Sequence, residues 1–297
     1  MRVISSTHYK PSTERGVVFH TLTGTTLAGA LAGATHVLQQ AERGQSGAWP
    51  HLMAFCITEP AICLGRFQNP QIVLNAAAAN QFPVMHRLTG GPACWVARGT
   101  LYFCAILPDW QTQLNPILPR TPTRALQKAF NDAFRNAFKS KGFVLTDSAN
   151  TLCYTRQGQE VARMGMDLTA KGVLVGEWFL AVSEKLELPA GLQGYATNLQ
   201  EAHPAPGCLR DLQIPPPEDF EPDFARAFGE TLLGANACSV QTGEFTYLDR
   251  MRIDLLAPRM RLPHPKACRC TPRFCTKNPL ASFTRRLPSI RGCNFHT

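Results

Sequence analysis

Met85–Pro108, MHRLTGGPACWVARGTLYFCAILP, is the stretch that determines how this chain folds. Its start continues a short predicted strand, Val84–Leu88, and its end contains Leu101–Leu107, an apolar run typical of a buried strand. Between them, Thr89–Pro92 predicts a tight turn, because two glycines and a proline interrupt any regular structure. The stretch therefore predicts a strand, a loop and a second strand.

The glycine pair in this loop has two interpretations. Gly90 and Gly91 allow positive φ angles and let the backbone approach a ligand closely. Arg87 would then supply a cation at the entrance of the loop. Glycine pairs often form ordinary turns, so a simple hairpin connection explains the loop better when this stretch is taken alone.

Length, composition and charge set limits on function. The chain has 297 residues, of which 44% are hydrophobic, and this is enough for a substantial core. The net charge of +9 comes from Met251–Thr297, since lysines plus arginines equal the acidic residues in the rest of the chain. We therefore expect no nucleic-acid surface on the folded body, and only the basic end could carry one.

The cysteines and the amino terminus predict a cytoplasmic protein. Eleven cysteines, an odd number with irregular spacing, argue against a secreted disulfide framework, and most of those in the body lie in apolar runs as reduced core residues. The first residues lack the apolar segment of a signal peptide, and no apolar run is long enough to cross a membrane.

The remaining pattern predicts both strands and helices. The predicted strands are Gly16–Leu22, His51–Thr58, Ala61–Gly65, Gly142–Leu145, Leu152–Arg156, Glu160–Met166 and Val173–Val182. We expect the second and third to form a hairpin and the last four to be antiparallel, because their connections are short. The predicted helices run from Thr25 or Thr26 to about Arg43, over Asn75–Asn80, from Thr123 with Phe130, Phe134 and Phe138 on one face, and over Asp223–Leu233.

The chain divides into three predicted parts. Residues 1–15 form a loose segment, residues 16–257 one domain, and residues 258–297 a basic tail rich in cysteine and proline. Cys268, Cys270, Cys275 and Cys293 in the tail could bind zinc together with its histidines, but the spacing matches no common zinc motif. A disordered extension explains the tail better, so we predict no metal site.

Three motifs in order resemble the lipoate-protein ligase A and octanoyltransferase group of the biotin/lipoyl protein ligase superfamily. They are Glu59–Pro70 (EPAICLGRFQNP), His86–Gly91 (HRLTGG) and Gly99–Phe103 (GTLYF). The resemblance covers roughly residues 16 to 235. It implies an α+β fold with a mixed, largely antiparallel sheet flanked by helices, as in the class II synthetase-like catalytic domain of these ligases.

The resemblance also implies a function. The family activates lipoate or octanoate with ATP and Mg²⁺ as an acyl-adenylate. It then attaches the acyl group to a lysine of a lipoyl carrier domain, in a 2-oxoacid dehydrogenase or a glycine cleavage H-type protein. The residues that this resemblance assigns to substrate binding are Arg87, Thr89, Gly90, Gly91, Val161, Ala162 and Gly176.

The sequence departs from the family pattern at several polar positions. Pro92 replaces a third glycine, Val96 and Ala97 replace a His-Asp pair, and Val175 replaces a histidine. Glu160 stands where the family has its catalytic lysine, and a carboxylate there would repel the negative charge that the lysine neutralises. We therefore assign no catalytic residue.

Few other residues could replace the missing lysine. Arg163 is the nearest cation, but its strand parity relative to Glu160 predicts that the two side chains face opposite ways, unless a bulge re-aims one of them. We predict that Lys171 is a surface charge, that Cys153 is a half-buried strand residue and that Cys208 lies in an exposed loop. Two functions stay open: an active ligase, or a lapsed relative that binds the acyl group, nucleotide or carrier domain.

Overall fold

Two β-sheets of unequal size organise the fold. The computed structural model describes residues 16–114, 123–140, 144–147, 153–156, 158–194, 205–211, 222–234 and 238–262. The strands are β1 (Gly16–Thr25), β2 (His51–Ile57), β3 (Ala61–Leu64), β4 (Val84–His86), β5 (Cys94–Val96), β6 (Leu101–Leu107), β7 (Thr146–Asp147), β8 (Cys153–Arg156), β9 (Gln159–Leu168), β10 (Leu174–Leu180), β11 (Ala205–Pro206) and β12 (Ser239–Thr242). The helices are α1 (Leu27–Glu42), α2 (Pro70–Val73), α3 (Ala76–Ala79), α4 (Trp110–Leu114), α5 (Thr123–Ser140), α6 (Pro222–Leu233) and α7 (Tyr247–Met260).

The large sheet has the strand order β12-β1-β2-β6-β10-β9-β8-β7, and β11 pairs with β9. Pairing is parallel in β12-β1-β2 and between β11 and β9, and antiparallel elsewhere in this sheet. The small sheet has the order β4-β3-β5. The predicted mixed, largely antiparallel sheet is confirmed, as is the antiparallel pairing of β8, β9 and β10. The strand predicted over Gly142–Leu145 is wrong at residues 144–145, since β7 is Thr146–Asp147, and residues 142–143 lie outside the described part of the chain.

Two hairpin interpretations are wrong. β2 pairs with β1 on one side and β6 on the other, so it has no free edge for β3, which lies in the small sheet. The two strands predicted on either side of the glycine loop, β4 and β6, are also in different sheets, since β4 belongs to the small sheet and β6 to the large one. The glycine loop instead joins β4 to β5, which lie on opposite sides of β3 in the small sheet, so it is not a hairpin turn.

Helices pack on both faces of the large sheet. On one face, α5 and α6 contribute Phe130, Phe134, Phe138 and Phe224 to an apolar core with Trp178 of β10. The Phe134 and Trp178 rings stack with their centroids 5.0 Å apart, which confirms that the predicted aromatic stripe belongs to the core. On the other face, α1 and α7 cover a second core.

Helix α7 was not predicted from the sequence. It begins with a capping box, in which Thr246 and Asp249 bond each other's backbone N–H groups, and it contains Pro258. After the helix, Arg261 pairs with Met85, so ordered structure continues past the predicted tail boundary at residue 258. The helix exposes apolar residues on one side and buries others on the opposite side, and this pattern hides the usual single apolar stripe.

The tail cysteines considered for zinc lie outside the described residues. Within the described part of the chain, no cluster of His, Cys, Asp and Glu could hold a metal ion. None of the helices described is long and apolar enough to cross a membrane.

Candidate functional site

The glycine loop joins β4 to β5 and packs against the first family motif. The Arg87 N–H donates to the Leu64 carbonyl at 2.9 Å, and the Arg66 N–H donates to the Thr89 carbonyl at 2.8 Å. A side chain on Gly65 would overlap the Gly91 carbonyl, and Gly91 itself has a φ of 109°, which favours glycine. Two motifs distant in sequence therefore form one backbone structure.

The loop rests directly on strand β9. A side chain on Gly165 would overlap the Thr89 hydroxyl and would lie 2.6 Å from the Gly90 carbonyl oxygen. Sequence reasoning gave Gly165 no role. The signal was present, because a glycine inside a strand often marks the close approach of another backbone.

A buried carboxylate, Glu177 of β10, holds the loop from below. It accepts hydrogen bonds from the Thr89 N–H at 2.7 Å, the Thr89 hydroxyl at 2.6 Å and the Leu88 N–H at 3.3 Å. The Tyr102 hydroxyl, from the third family motif, donates to the same carboxylate at 2.6 Å. Donors to both oxygens satisfy the buried charge and fix the conformation of the loop.

Sequence reasoning missed both Glu177 and Tyr102 as parts of the site. Burial, followed by the neighbouring Cys104 and Glu177, raises the pKa of Tyr102 well above its usual value. The hydroxyl therefore stays protonated and remains a donor. The detectable signal was a single carboxylate inside the apolar run of β10, since a buried acid needs specific partners.

Arg87 does not stand at the loop entrance as predicted. Its side chain is 2% exposed and turns inward, where Nε and Nη2 both donate to the Gly90 carbonyl, at 2.9 and 2.6 Å. Nη1 lies 3.4 Å from the Cys94 sulfur, and the guanidinium carbon lies 5.9 Å from the centroid of the Phe179 ring. Arg87 thus shapes the loop from inside.

The loop also has two backbone donors that lack an acceptor in the described part of the chain. No described residue accepts a hydrogen bond from the N–H of Gly90 or Gly91, and Gly91 is exposed. The Phe67 ring, 78% exposed, lies beside Gly90, and next to it Arg66 forms an ion pair with Asp167 of β9 at 2.9 Å. This rim combines an aromatic surface, two amide donors and a neutralised pair of charges.

Glu160 and Arg163 form a buried ion pair, so the prediction that they face opposite ways is wrong. Arg163 Nε donates to the Glu160 carboxylate, and Nη1 donates to the carbonyls of Ala93 at 2.7 Å and Leu186 at 3.3 Å. The cause is a β-bulge, because Thr155 of β8 pairs with Glu160 while the preceding residue pairs with Ala162. The extra residue between them shifts the side-chain alternation.

The charges around the loop balance. Among the described residues, the charged side chains with a hydrogen bond or ion pair to the loop or to the β9 segment beneath it are Arg66, Arg87, Arg163, Glu160, Asp167 and Glu177. Their formal charges sum to zero. These described side chains therefore offer a triphosphate no excess of cations.

Comparison with known proteins agrees with this geometry. Residues 30–178 match the sequence model of the lipoyl protein ligase A/B catalytic domain. The chain belongs to this family. No curated protein sequence matches the chain.

Solved structures of lipoate ligases share the fold. A bi-partite lipoate protein ligase from Thermoplasma acidophilum, studied with its E2 lipoyl domain, has 14% identity and a TM-score of 0.57 over 83% of this chain and 93% of that one. Lipoate-protein ligase A bound with ATP has 14% identity and a TM-score of 0.55 over 83% and 95%. LipL1 of P. falciparum in complex with lipoate has 12% identity and a TM-score of 0.54 over 82% and 72%.

The other residues that the ligase resemblance assigned to substrate binding lie away from the loop. Val161 and Ala162 are buried in the apolar core that contains Phe130. A side chain on Gly176 would lie 2.7 Å from the Phe130 ring, so this glycine admits the ring of α5. The structure thus brings Arg87, Thr89 and the two loop glycines together. It places Val161, Ala162 and Gly176 against the apolar core under α5 and α6 instead.

The lysine and the two cysteines considered in the sequence analysis lie at a turn, in a buried segment and in a strand. Lys171 is exposed in the turn between β9 and β10, as predicted. Cys208 is buried and not exposed, because the Leu209 N–H donates to the Ala181 carbonyl at 2.9 Å and holds the segment against the end of β10. Cys153 lies in β8 and pairs with Arg163 through the ladder.

Proposed function

We propose that this ligase-family domain binds a lipoate- or octanoate-type acyl group on a lipoyl carrier domain and does not activate the free acid as an adenylate. One observation carries the proposal. Glu160, which the sequence resemblance puts at the position of the family's catalytic lysine, is closed in a buried ion pair with Arg163, the nearest cation.

Adenylation requires a cation beside the developing negative charge. A carboxylate at that position would raise the barrier by several kcal/mol, on the order of a thousandfold in rate. Arg163 cannot replace the lysine, because its donors already bond Glu160 and the carbonyls of Ala93 and Leu186. The charge reversal is thus compensated within the protein and not by a substrate.

The loop suits a neutral acyl amide better than a nucleotide. The N–H groups of Gly90 and Gly91 can donate to one carbonyl oxygen, and the exposed Phe67 ring offers apolar contact beside them. A lipoyl-lysine amide carries no charge and fits a site whose charges already balance. The solved structures support this ligand and partner class, since LipL1 is in complex with lipoate and the bi-partite ligase was studied with its E2 lipoyl domain.

The test is a pair of calorimetric titrations of the full chain. We expect lipoamide to bind and ATP with Mg²⁺ to give no measurable binding. Phe67→Ala should weaken lipoamide binding, whereas Val144→Ala, which also truncates an exposed apolar side chain, should leave it unchanged. Absence of lipoamide binding, or ATP binding as tight as that of lipoamide, would overturn the proposal.

A further inference from the structure

The outer face of α7 exposes a row of large apolar side chains. They are Tyr247 (76% exposed), Leu248 (62%), Met251 (45%) and Leu255 (68%). Helical spacing places all four on one stripe, while Ile253 on the opposite face is buried against the core. Single exposed apolar residues are common, but four on one helix of 14 residues mark an interaction surface.

Charged residues of opposite sign lie on the two edges of this apolar α7 surface. Arg252 and Arg259, seven positions apart, follow one edge of the stripe, and Asp254 lies on the other edge. All three are exposed, and no described residue pairs with either arginine. An apolar centre with a basic edge complements a protein surface that has an acidic edge. An anionic lipid surface fits less well, because it would repel Asp254.

The end of α7 is joined to the strand that carries the glycine loop. Arg261 pairs with Met85 of β4, and the Leu262 N–H donates to the Val84 carbonyl at 2.7 Å. Strand β4 continues directly into Arg87 and the loop. The end of α7 is therefore linked to the strand that leads into the glycine loop.

We propose that the α7 surface docks the lipoyl carrier domain through an apolar patch with an acidic edge on that domain. This inference rests on the proposed function, since the carrier presents the acyl group to the loop. Docking on α7 adds protein contacts that free lipoamide lacks, so the carrier is selected by its surface as well as by its acyl group.

The experiment titrates the full chain with an apo-lipoyl domain whose lysine is unmodified, which removes the acyl group from the measurement. We expect binding, and Met251→Asp should weaken it at least about tenfold by placing a charge in the apolar centre. Leu168→Asp is the matched control, because Leu168 is 49% exposed but lies at the end of β9, and it should change nothing. Arg252→Glu with Arg259→Glu should weaken binding and reduce its salt dependence.

Other outcomes overturn the assignment. No binding of the apo-lipoyl domain, or equal affinity in the Met251→Asp and Leu168→Asp variants, removes the carrier from this surface. Dimerisation of the chain that Met251→Asp abolishes would assign the surface to a second copy. Binding to phosphatidylcholine–phosphatidylserine vesicles that Met251→Asp abolishes would assign it to lipid. If the unaltered chain does not bind lipoamide, that result counts against the proposed function alone. The test of the α7 surface is independent of it, because the apo-lipoyl domain carries no acyl group.

Discussion

Glu160 and Arg163 form a buried ion pair, and each compensates the charge of the other. Side-chain parity along a regular strand predicted opposite faces, and the bulge between them reversed that outcome. Two buried charges with hydrogen bonds to each other and to carbonyls can be tolerated, whereas either one alone is costly. The pair therefore behaves as a unit.

This pairing predicts that Glu160→Lys by itself destabilises the protein. Two buried cations would face each other, and the free energy of unfolding should fall by about 3–5 kcal/mol in urea titrations. Adding Arg163→Gly should recover part of the loss, since it removes the repulsion. As a control, Lys128→Glu reverses one charge of an exposed helical pair with Asp132 and should cost under about 1 kcal/mol. Equal losses for the two single variants would contradict the buried pair.

His20 and His51 form a second buried pair, on neighbouring strands β1 and β2. His20 Nε2 lies 3.2 Å from His51 Nδ1, and the His20 ring stacks on Phe245 at 5.1 Å between centroids. Burial, followed by the His51 charge, lowers the pKa of His20 to about 4. Burial also lowers the pKa of His51. Both rings are therefore neutral in the folded protein near pH 7.

These shifts predict a loss of stability in acid. As the pH falls below about 6.5, His20 takes up a proton in the unfolded chain before it does so in the fold, so stability decreases until about pH 4. The contribution of His20 is at most about 3 kcal/mol. Unfolding free energies at pH 7 and pH 4.5 should differ less in His20→Gln than in the unaltered protein. An identical pH dependence in both would remove His20 as a cause.

At the scale of elements, the glycine loop depends on the glycine in β9 beneath it. Gly165→Ala should push Thr89 and Gly90 outward, with a stability loss of about 1–3 kcal/mol from overpacking. Lipoamide affinity should fall as the two donor N–H groups move. Gly191→Ala is the control, since no atom lies within 4 Å of the added methyl group and its φ is not positive. Unchanged lipoamide binding in Gly165→Ala would separate this contact from the site.

Local pattern predicted the elements better than it predicted their partners. The bounds of β6 agree with the sequence prediction, and α1 begins at the Thr26 cap because its side chain accepts from the Gly29 N–H. The prediction that β3 pairs with β2 was wrong, because the pairing of a strand depends on which sheet edges other strands already occupy. Helix α7 was not predicted from the sequence, because apolar residues on its exposed face cancel the amphipathic signal.

For the candidate site too, the sequence predicted local features but not contacts between distant residues. The motifs located the loop, since the positive φ of Gly91 is a local backbone requirement that a glycine pair in the sequence indicates. They could not show that Arg87 turns inward or that Glu177 holds the loop, because these facts depend on contacts between residues far apart in sequence. Which cations remain available to a ligand is a property of the folded molecule.

At the scale of the whole molecule, the last described residues tie α7 to the small sheet. A chain that ends at Ala257 loses the Arg261–Met85 pair and the Leu262 N–H to Val84 hydrogen bond, whereas a chain that ends at Leu262 keeps both. We expect the shorter chain to melt several degrees lower, at roughly 2–4 °C per kcal/mol for a protein of this size. Equal melting temperatures would show that these contacts do not stabilise the fold.

The central claim concerns the charge at residue 160, and lipoyl-AMP formation measures its consequence directly. The full chain is incubated with lipoate, ATP and Mg²⁺, and the adenylate is quantified by mass spectrometry. The account predicts no lipoyl-AMP from the unaltered protein and a measurable amount from the variant with both Glu160→Lys and Arg163→Gly, in which an ammonium replaces the closed ion pair. Lipoyl-AMP formed readily by the unaltered protein would contradict it.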